Sequence, residues 1–260
     1  MKIKMYQIDA FTSRVFGGNP AAVCVLGEWL DDDTLQAIAS ENNLSETAYI
    51  IPRDGFYDLR WFTPVAEIDL AGHPTLASAY AIFEMLEPGR REVRFETRSG
   101  SLHVIKEDEL LAMDFPSQPG KPCQASEDIE KGLGVEPEEV LLARYHMVVL
   151  DSEEAVLGVR PDFRRLENLP SMGVIVTAPG RKVDFVSRFF APKMGIPEDP
   201  VTGSAHCTLI PYWSKRLGKI RLTARQVSER GGALFCEDQG ERVRIAGQAV
   251  IYLEGDIWFP

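Results

Sequence analysis

The chain of 260 residues is short of basic charge, of paired cysteines and of long apolar runs, and each shortage excludes a class of function. Lys and Arg number 28 against 39 Asp and Glu, a formal net charge of -11. A protein that neutralises phosphates needs a basic stripe, so this balance argues against a nucleic-acid partner, and it also repels anionic membrane surfaces. The cysteines Cys24, Cys123, Cys207 and Cys236 stand apart without C-x-x-C spacing, which disfavours a disulfide framework or a metal site. His103, His146 and His206 show no ligand spacing with Cys or carboxylates either. No stretch approaches the ~18 apolar residues of a membrane span. The start, Met1 to Asp9, alternates like a strand and lacks the apolar core and cleavage site of a secretory leader, so cytoplasm is the default location. Walker loops, G-x-S-x-G elbows and dinucleotide fingerprints are all missing.

What is present is a repeat. Phe62-Thr63-Pro64 leads into Ala71-Gly72-His73-Pro74-Thr75 and an apolar run, and Phe190-Ala191-Pro192 leads into Thr202-Gly203-Ser204-Ala205 and another. The offset is 128 residues between Pro64 and Pro192, 131 between Gly72 and Gly203, and 132 between Gly100 and Gly232. A period of half the chain is too long for a solenoid or propeller unit and implies two similar domains. The boundaries expected are 1–116 and 117–260, with the last strand able to return to the first domain and the Pro-rich stretch Pro116 to Pro122 as linker.

Short β-rich runs bounded by Gly, Pro or charge cover much of the first half, including Ile3 to Asp9, Ala21 to Leu26, Glu46 to Ile51 and Tyr57 to Phe62. Asp31 to Asn43 reads as an amphipathic helix, and Ser126 to Leu133 and Ser152 to Val159 as surface helices. Pro74 to Leu86 and Ala205 to Leu217 differ, because they are apolar nearly all round and must be surrounded by other structure. Pro211 should kink or limit the second of them. The fold class is α+β: two similar domains, each a β-barrel-like sheet wrapped around a central helix.

Each central helix starts at a glycine turn, so its free N–H groups and positive dipole end are available to a carboxylate or phosphate. Gly72 and Gly203 permit close backbone approach, and the two turns could face one small anionic ligand across a cleft. Both glycines could equally serve tight turns with solvated helix ends. Three ionisable residues sharpen the first reading: Glu46 in Asn42-Asn-Leu-Ser-Glu-Thr-Ala, His73 in the first turn, and Asp199 heading the second. A carboxylate and an imidazole around one cleft form an acid–base pair if burial raises the carboxylate toward neutrality. Taken singly, a glutamate at a strand start, a turn histidine and an Asp-Pro turn initiator are each ordinary. Cys207, near the second helix start, fits a small core position better than a nucleophile.

At these residues the chain resembles the PhzF-like phenazine-biosynthesis family, whose fold is that of diaminopimelate epimerase. The resemblance runs end to end and is carried by Asp9-Ala-Phe-Thr, Phe16-Gly-Gly-Asn-Pro-Ala-Ala-Val23, Asn43-Leu-Ser-Glu-Thr-Ala48, Leu59-Arg-Trp-Phe-Thr-Pro64, Asp69-Leu-Ala-Gly-His-Pro-Thr75 and Glu198-Asp-Pro-Val-Thr-Gly-Ser-Ala205. It implies two barrel domains with the active site between them and a cofactor-free isomerisation in which Glu46 shuttles the proton. It further implies that His73 and Asp199 assist, that Gly72, Gly203 and Ser204 contact substrate, and that the protein is a homodimer. Epimerases of this fold use two cysteines, whereas Ala71 stands in place of the first here and Pro200-Val201-Thr202 supplies no second. The expected activity is therefore a cofactor-independent isomerase of a small carboxylated metabolite, with no metal. A binding module that has lost catalysis, and a racemase or epimerase of an amino-acid-like acid, are the competing readings.

Overall fold

In the computed structural model, which describes residues 1–259, the chain divides into two compact units, one of Met1–Asp114 with Ala246–Pro260 and one of Phe115–Ile245. In the first unit the strand Lys2–Ala10 pairs antiparallel with both Asn19–Val25 and Ala249–Trp258. Asn19–Val25 lies parallel to Glu46–Pro52, which runs antiparallel to Tyr57–Phe62. Tyr57–Phe62 takes the short strand Glu67–Ile68 antiparallel and Glu92–Thr97 parallel, and Gly100–Glu107 and Leu110–Pro116 follow as antiparallel neighbours.

The second unit repeats that pairing scheme. His146–Val149 lies parallel to Val174–Pro179, which is antiparallel to Phe185–Ala191. Phe185–Ala191 takes the short Ile196–Asp199 antiparallel and Arg221–Gln226 parallel, and Gly232–Asp238 is the next antiparallel strand. In both units the central helix is inserted between the short strand and the following parallel strand. The duplication legible in the Gly turns is thus a duplication of strand topology.

The first central helix is Gly72–Ala81, and nine of its ten residues are buried. It packs against Lys2–Ala10, Asn19–Val25 and Glu46–Pro52, so the sheet covers it as an all-apolar helix requires. Its hydroxyls are absorbed by its own backbone: Thr75 Oγ1 donates to the Ala71 carbonyl at 2.6 Å and Ser78 Oγ to that of Pro74 at 2.7 Å. The helix starts at Gly72, two residues before the proline, and Ile82–Leu86 widens it into an i→i+5 turn closed by Glu87 N–H on the Ile82 carbonyl. Leu35, Ile38 and Ala39 of Asp32–Asn42 pack on the other face of the sheet with Leu26, Tyr49, Ile51 and Phe62.

The second central helix, Gly203–Leu217, runs through Pro211 without a break. Pro211 has no N–H for the Cys207 carbonyl, and Gln118 N–H donates to that carbonyl instead at 2.9 Å. The Pro-rich stretch is therefore not a free linker. Ser117 N–H bonds Glu241 O at 2.9 Å, and Lys121–Pro122 pairs with Leu141 and Leu142 inside the second unit. On the far face of this sheet, Ile129, Leu133, Val156 and Leu166 from three short helices close a separate core with Val148, Val174 and Val176.

Candidate active site

Strand register builds the first cluster. Ala21 and Glu46 are paired across the parallel strands, and Asn19 lies two residues before Ala21, so Asn19 and Glu46 share a face of the sheet. His73, second residue of the central helix, lies against that face. Its Nε2 lies 3.0 Å from Glu46 Oε2, and Asn19 Nδ2 is 3.1 Å from its Nδ1. Glu46 and His73 are only 7% and 3% exposed, and Asn19 is fully enclosed. Burial drives the imidazole down to about 3, only partly opposed by the Pro20 carbonyl, so His73 is neutral at physiological pH. A neutral imidazole beside a carboxylate, both shielded from water, is a pair able to exchange a single proton.

The loop before Asn19 is fixed by short-range contacts. Asp9, itself buried, accepts Phe16 N–H at 2.9 Å. Gly18 follows at φ +62°, where a Cβ would fall 2.1 Å from the Ala10 carbonyl oxygen. Only glycine fits there, and it delivers Asn19 to the start of its strand.

The second cluster forms at the start of the other central helix. Thr202 is its N-cap residue, yet its hydroxyl does not cap the helix; it donates to Asp199 Oδ2 at 2.5 Å. Gln226 Oε1 accepts Thr202 N–H at 2.9 Å, while Gln226 Nε2 donates to the Asp199 carbonyl at 2.8 Å and to Thr202 Oγ1 at 3.2 Å. His206 Nδ1 donates to the Thr202 carbonyl at 2.9 Å. Ser204, the second helical residue, meets the Tyr145 hydroxyl at 3.3 Å. The first helix has the same feature at its start, since Ala71 at its N-cap makes no side-chain capping bond.

Glu46, His73 and Gly72 therefore lie together in the first unit, and Asp199, Gly203 and Ser204 in the second. His73 and Ser204 hold equivalent positions, each directly after the first glycine of its helix. Sequence reasoning gave no role to Asn19, Thr202, Gln226, Tyr145 or His206. Asn19 had a signal, a Gly-Gly-Asn-Pro turn running into a strand, but Gln226 is a strand-end glutamine that no motif marks. Cys207 is 1% exposed, and burial pushes its thiol up to about 12, as expected of a core position. No helix among the described residues is long and apolar enough to cross a membrane.

The model of the phenazine biosynthesis-like protein family (PhzC-PhzF) matches residues 8–255. The chain belongs to this family. An uncharacterized isomerase of Pseudomonas aeruginosa is 51% identical over 257 residues, spanning 99% of each chain. A crystal structure of a PhzF-family protein from Enterococcus faecalis superposes with a TM-score of 0.97 at 47% identity, covering 100% of both chains. A hydroxyproline epimerase from Agrobacterium vitis matches with a TM-score of 0.64 at 12% identity, over 98% of this chain and 91% of that one. That likeness shows the epimerase-like fold and no more. Both barrels of this PhzF-family protein conform to that fold, as the resemblance of the sequence implied.

Proposed function

We propose that this PhzF-family protein is a cofactor-independent isomerase of a small carboxylated metabolite, working by glutamate-mediated proton transfer. The observation that carries the reading is the buried Glu46–His73 pair, 3.0 Å apart with a neutral imidazole. Glu46 takes a proton from one substrate carbon and returns it to another, and His73 holds or relays it beside the carboxylate. Asp199 orients the substrate, and the N–H groups of the first turns at Gly72 and at Gly203 and Ser204 receive its carboxylate. Neither helix start has a side-chain cap competing for those donors, which supports that assignment. The name isomerase given to the P. aeruginosa relative agrees with a reaction of this class.

A two-thiol epimerisation has no support in the residues. Ala71 stands where the first thiol would be, and Cys207 is enclosed with its proton firmly held. The test is deuterium incorporation from D2O into a panel of small unsaturated and cyclic carboxylic acids, followed by NMR. Wild-type protein should label the C–H positions of an accepted acid, and Glu46→Gln should slow this by about 10²–10⁴-fold. Labelling at the wild-type rate in Glu46→Gln would remove Glu46 from the reaction, and tight binding without any labelling would favour a binding module.

A further inference from the structure

We infer that Gln226 is a positioning residue that sets the Asp199 carboxylate through Thr202. The inference rests on the reading above, in which Asp199 takes part in the reaction. Gln226 is fully enclosed, where an unsatisfied amide is costly, and every polar atom of its side chain is engaged on the segment from Asp199 to Thr202. Its oxygen takes Thr202 N–H, one N–H goes to the Asp199 carbonyl, and the other goes to Thr202 Oγ1. Because that hydroxyl already accepts from Gln226, its own proton is directed at Asp199 Oδ2, giving a short charge-assisted bond of 2.5 Å.

The arrangement is a relay of polarisation from amide to hydroxyl to carboxylate, in which each bond strengthens the next. It holds Asp199 in one rotamer and favours its ionised form. His206 closes the opposite side of Thr202 by donating to its carbonyl, so the residue between Gln226 and Asp199 is fixed at its N–H, its carbonyl and its hydroxyl. Ser228 Oγ, two residues beyond Gln226, holds the Pro200 carbonyl at 2.8 Å and keeps the same loop against the same strand end. Glu198, the residue before Asp199, is itself paired with Arg188 through two bonds of 2.7 and 2.9 Å.

The experiment follows the Asp199 side-chain carboxyl by 13C NMR as the full-length protein is titrated, with Asp199→Asn assigning the resonance. In Gln226→Leu the midpoint should rise by about half a unit to one unit, and in Gln226→Glu, which sets a second carboxylate there, by more. Thr202→Ser keeps the hydroxyl and should keep the wild-type midpoint, while Thr202→Val should reproduce the Gln226→Leu shift. A purely structural glutamine would lower the melting temperature and leave the midpoint unmoved, and that result in any folded Gln226 or Thr202→Val variant overturns the inference. Deuterium labelling that survives Asp199→Asn would instead remove Asp199 from the proposed function while leaving the midpoint shift intact, so the two failures are distinguishable.

Discussion

Nε2 of His73 lies 3.0 Å from Oε2 of Glu46, inside the first unit and with both side chains nearly closed to solvent. If the pair handles one proton as proposed, the two residues should behave as a unit in mutagenesis. His73→Asn is expected to cut deuterium labelling by about 10²-fold and Glu46→Gln by more, while the double variant falls no further than the worse single one. Rates measured on one accepted acid across the four proteins check this. Additive losses would mean that the two residues act in separate steps.

Gly18 carries the turn that delivers Asn19 to His73, and its backbone conformation and surroundings both exclude a side chain. Its φ is +62°, and a Cβ would meet the Ala10 oxygen at 2.1 Å and Thr12 Cγ2 at 2.7 Å. Gly18→Ala should cost about 2–4 kcal/mol, combining left-handed strain with overpacking. Gly55 has φ +84° but nothing within 4 Å of a new Cβ, so Gly55→Ala should cost only about 1–2 kcal/mol. Urea unfolding of both variants separates space from backbone strain, and equal losses would show that the Ala10 contact is relieved.

The duplicated scaffold could be read in the sequence because its signals are local. A glycine turn followed by an apolar helix marks each half at Gly72 and Gly203, and strand alternation marks much of the first sheet. Glu46, His73 and Asp199 could be singled out because they lie inside those marked segments. The groups that hold them could not be found so easily. Gln226 reaches Thr202 because Arg221–Gln226 pairs parallel with Phe185–Ala191 and Ile196–Asp199 pairs antiparallel with that same strand, which brings together residues apart in the chain. Pro211 does not end its helix for a similar reason: the Cys207 carbonyl it leaves without a helical partner is met by Gln118, and no helical periodicity foretells that donor.

Two enclosed histidines make stability depend on acid. Burial lowers His206 to about 4 and His73 to about 3, against an ordinary value near 6.5. Above pH 6.5 both are neutral whether the chain is folded or not, so they add no pH dependence. As pH falls below 6.5 the unfolded chain takes up protons that the folded chain refuses, and stability declines until the folded values near 4 and 3 are reached. Between pH 6.5 and 5 His206 alone should contribute a loss of about 2 kcal/mol. His206→Asn, whose amide can still donate to the Thr202 carbonyl, should be less stable at pH 7 yet show a flatter decline. Denaturant melts at pH 7, 6 and 5 test this, and parallel declines in the two proteins would refute it.

Thiol reactivity tests directly whether a two-cysteine mechanism operates in this protein. Cys24, Cys207 and Cys236 are at most 4% exposed, and burial raises all three, the first two to about 12. A thiol so placed forms almost no thiolate at pH 8 and admits no reagent. Cys123 is half-buried and is raised less strongly. Iodoacetamide on the native protein should therefore modify no more than one cysteine, Cys123, and three further sites should react only in denaturant. Cys207→Ala removes little more than a sulfur from the core beside Gly203, so it should cost stability of about 1 kcal/mol and leave deuterium labelling within a few-fold of wild type. Fast native alkylation at Cys207, with labelling lost in step, would put a thiol back into the mechanism and displace Glu46 as its sole base.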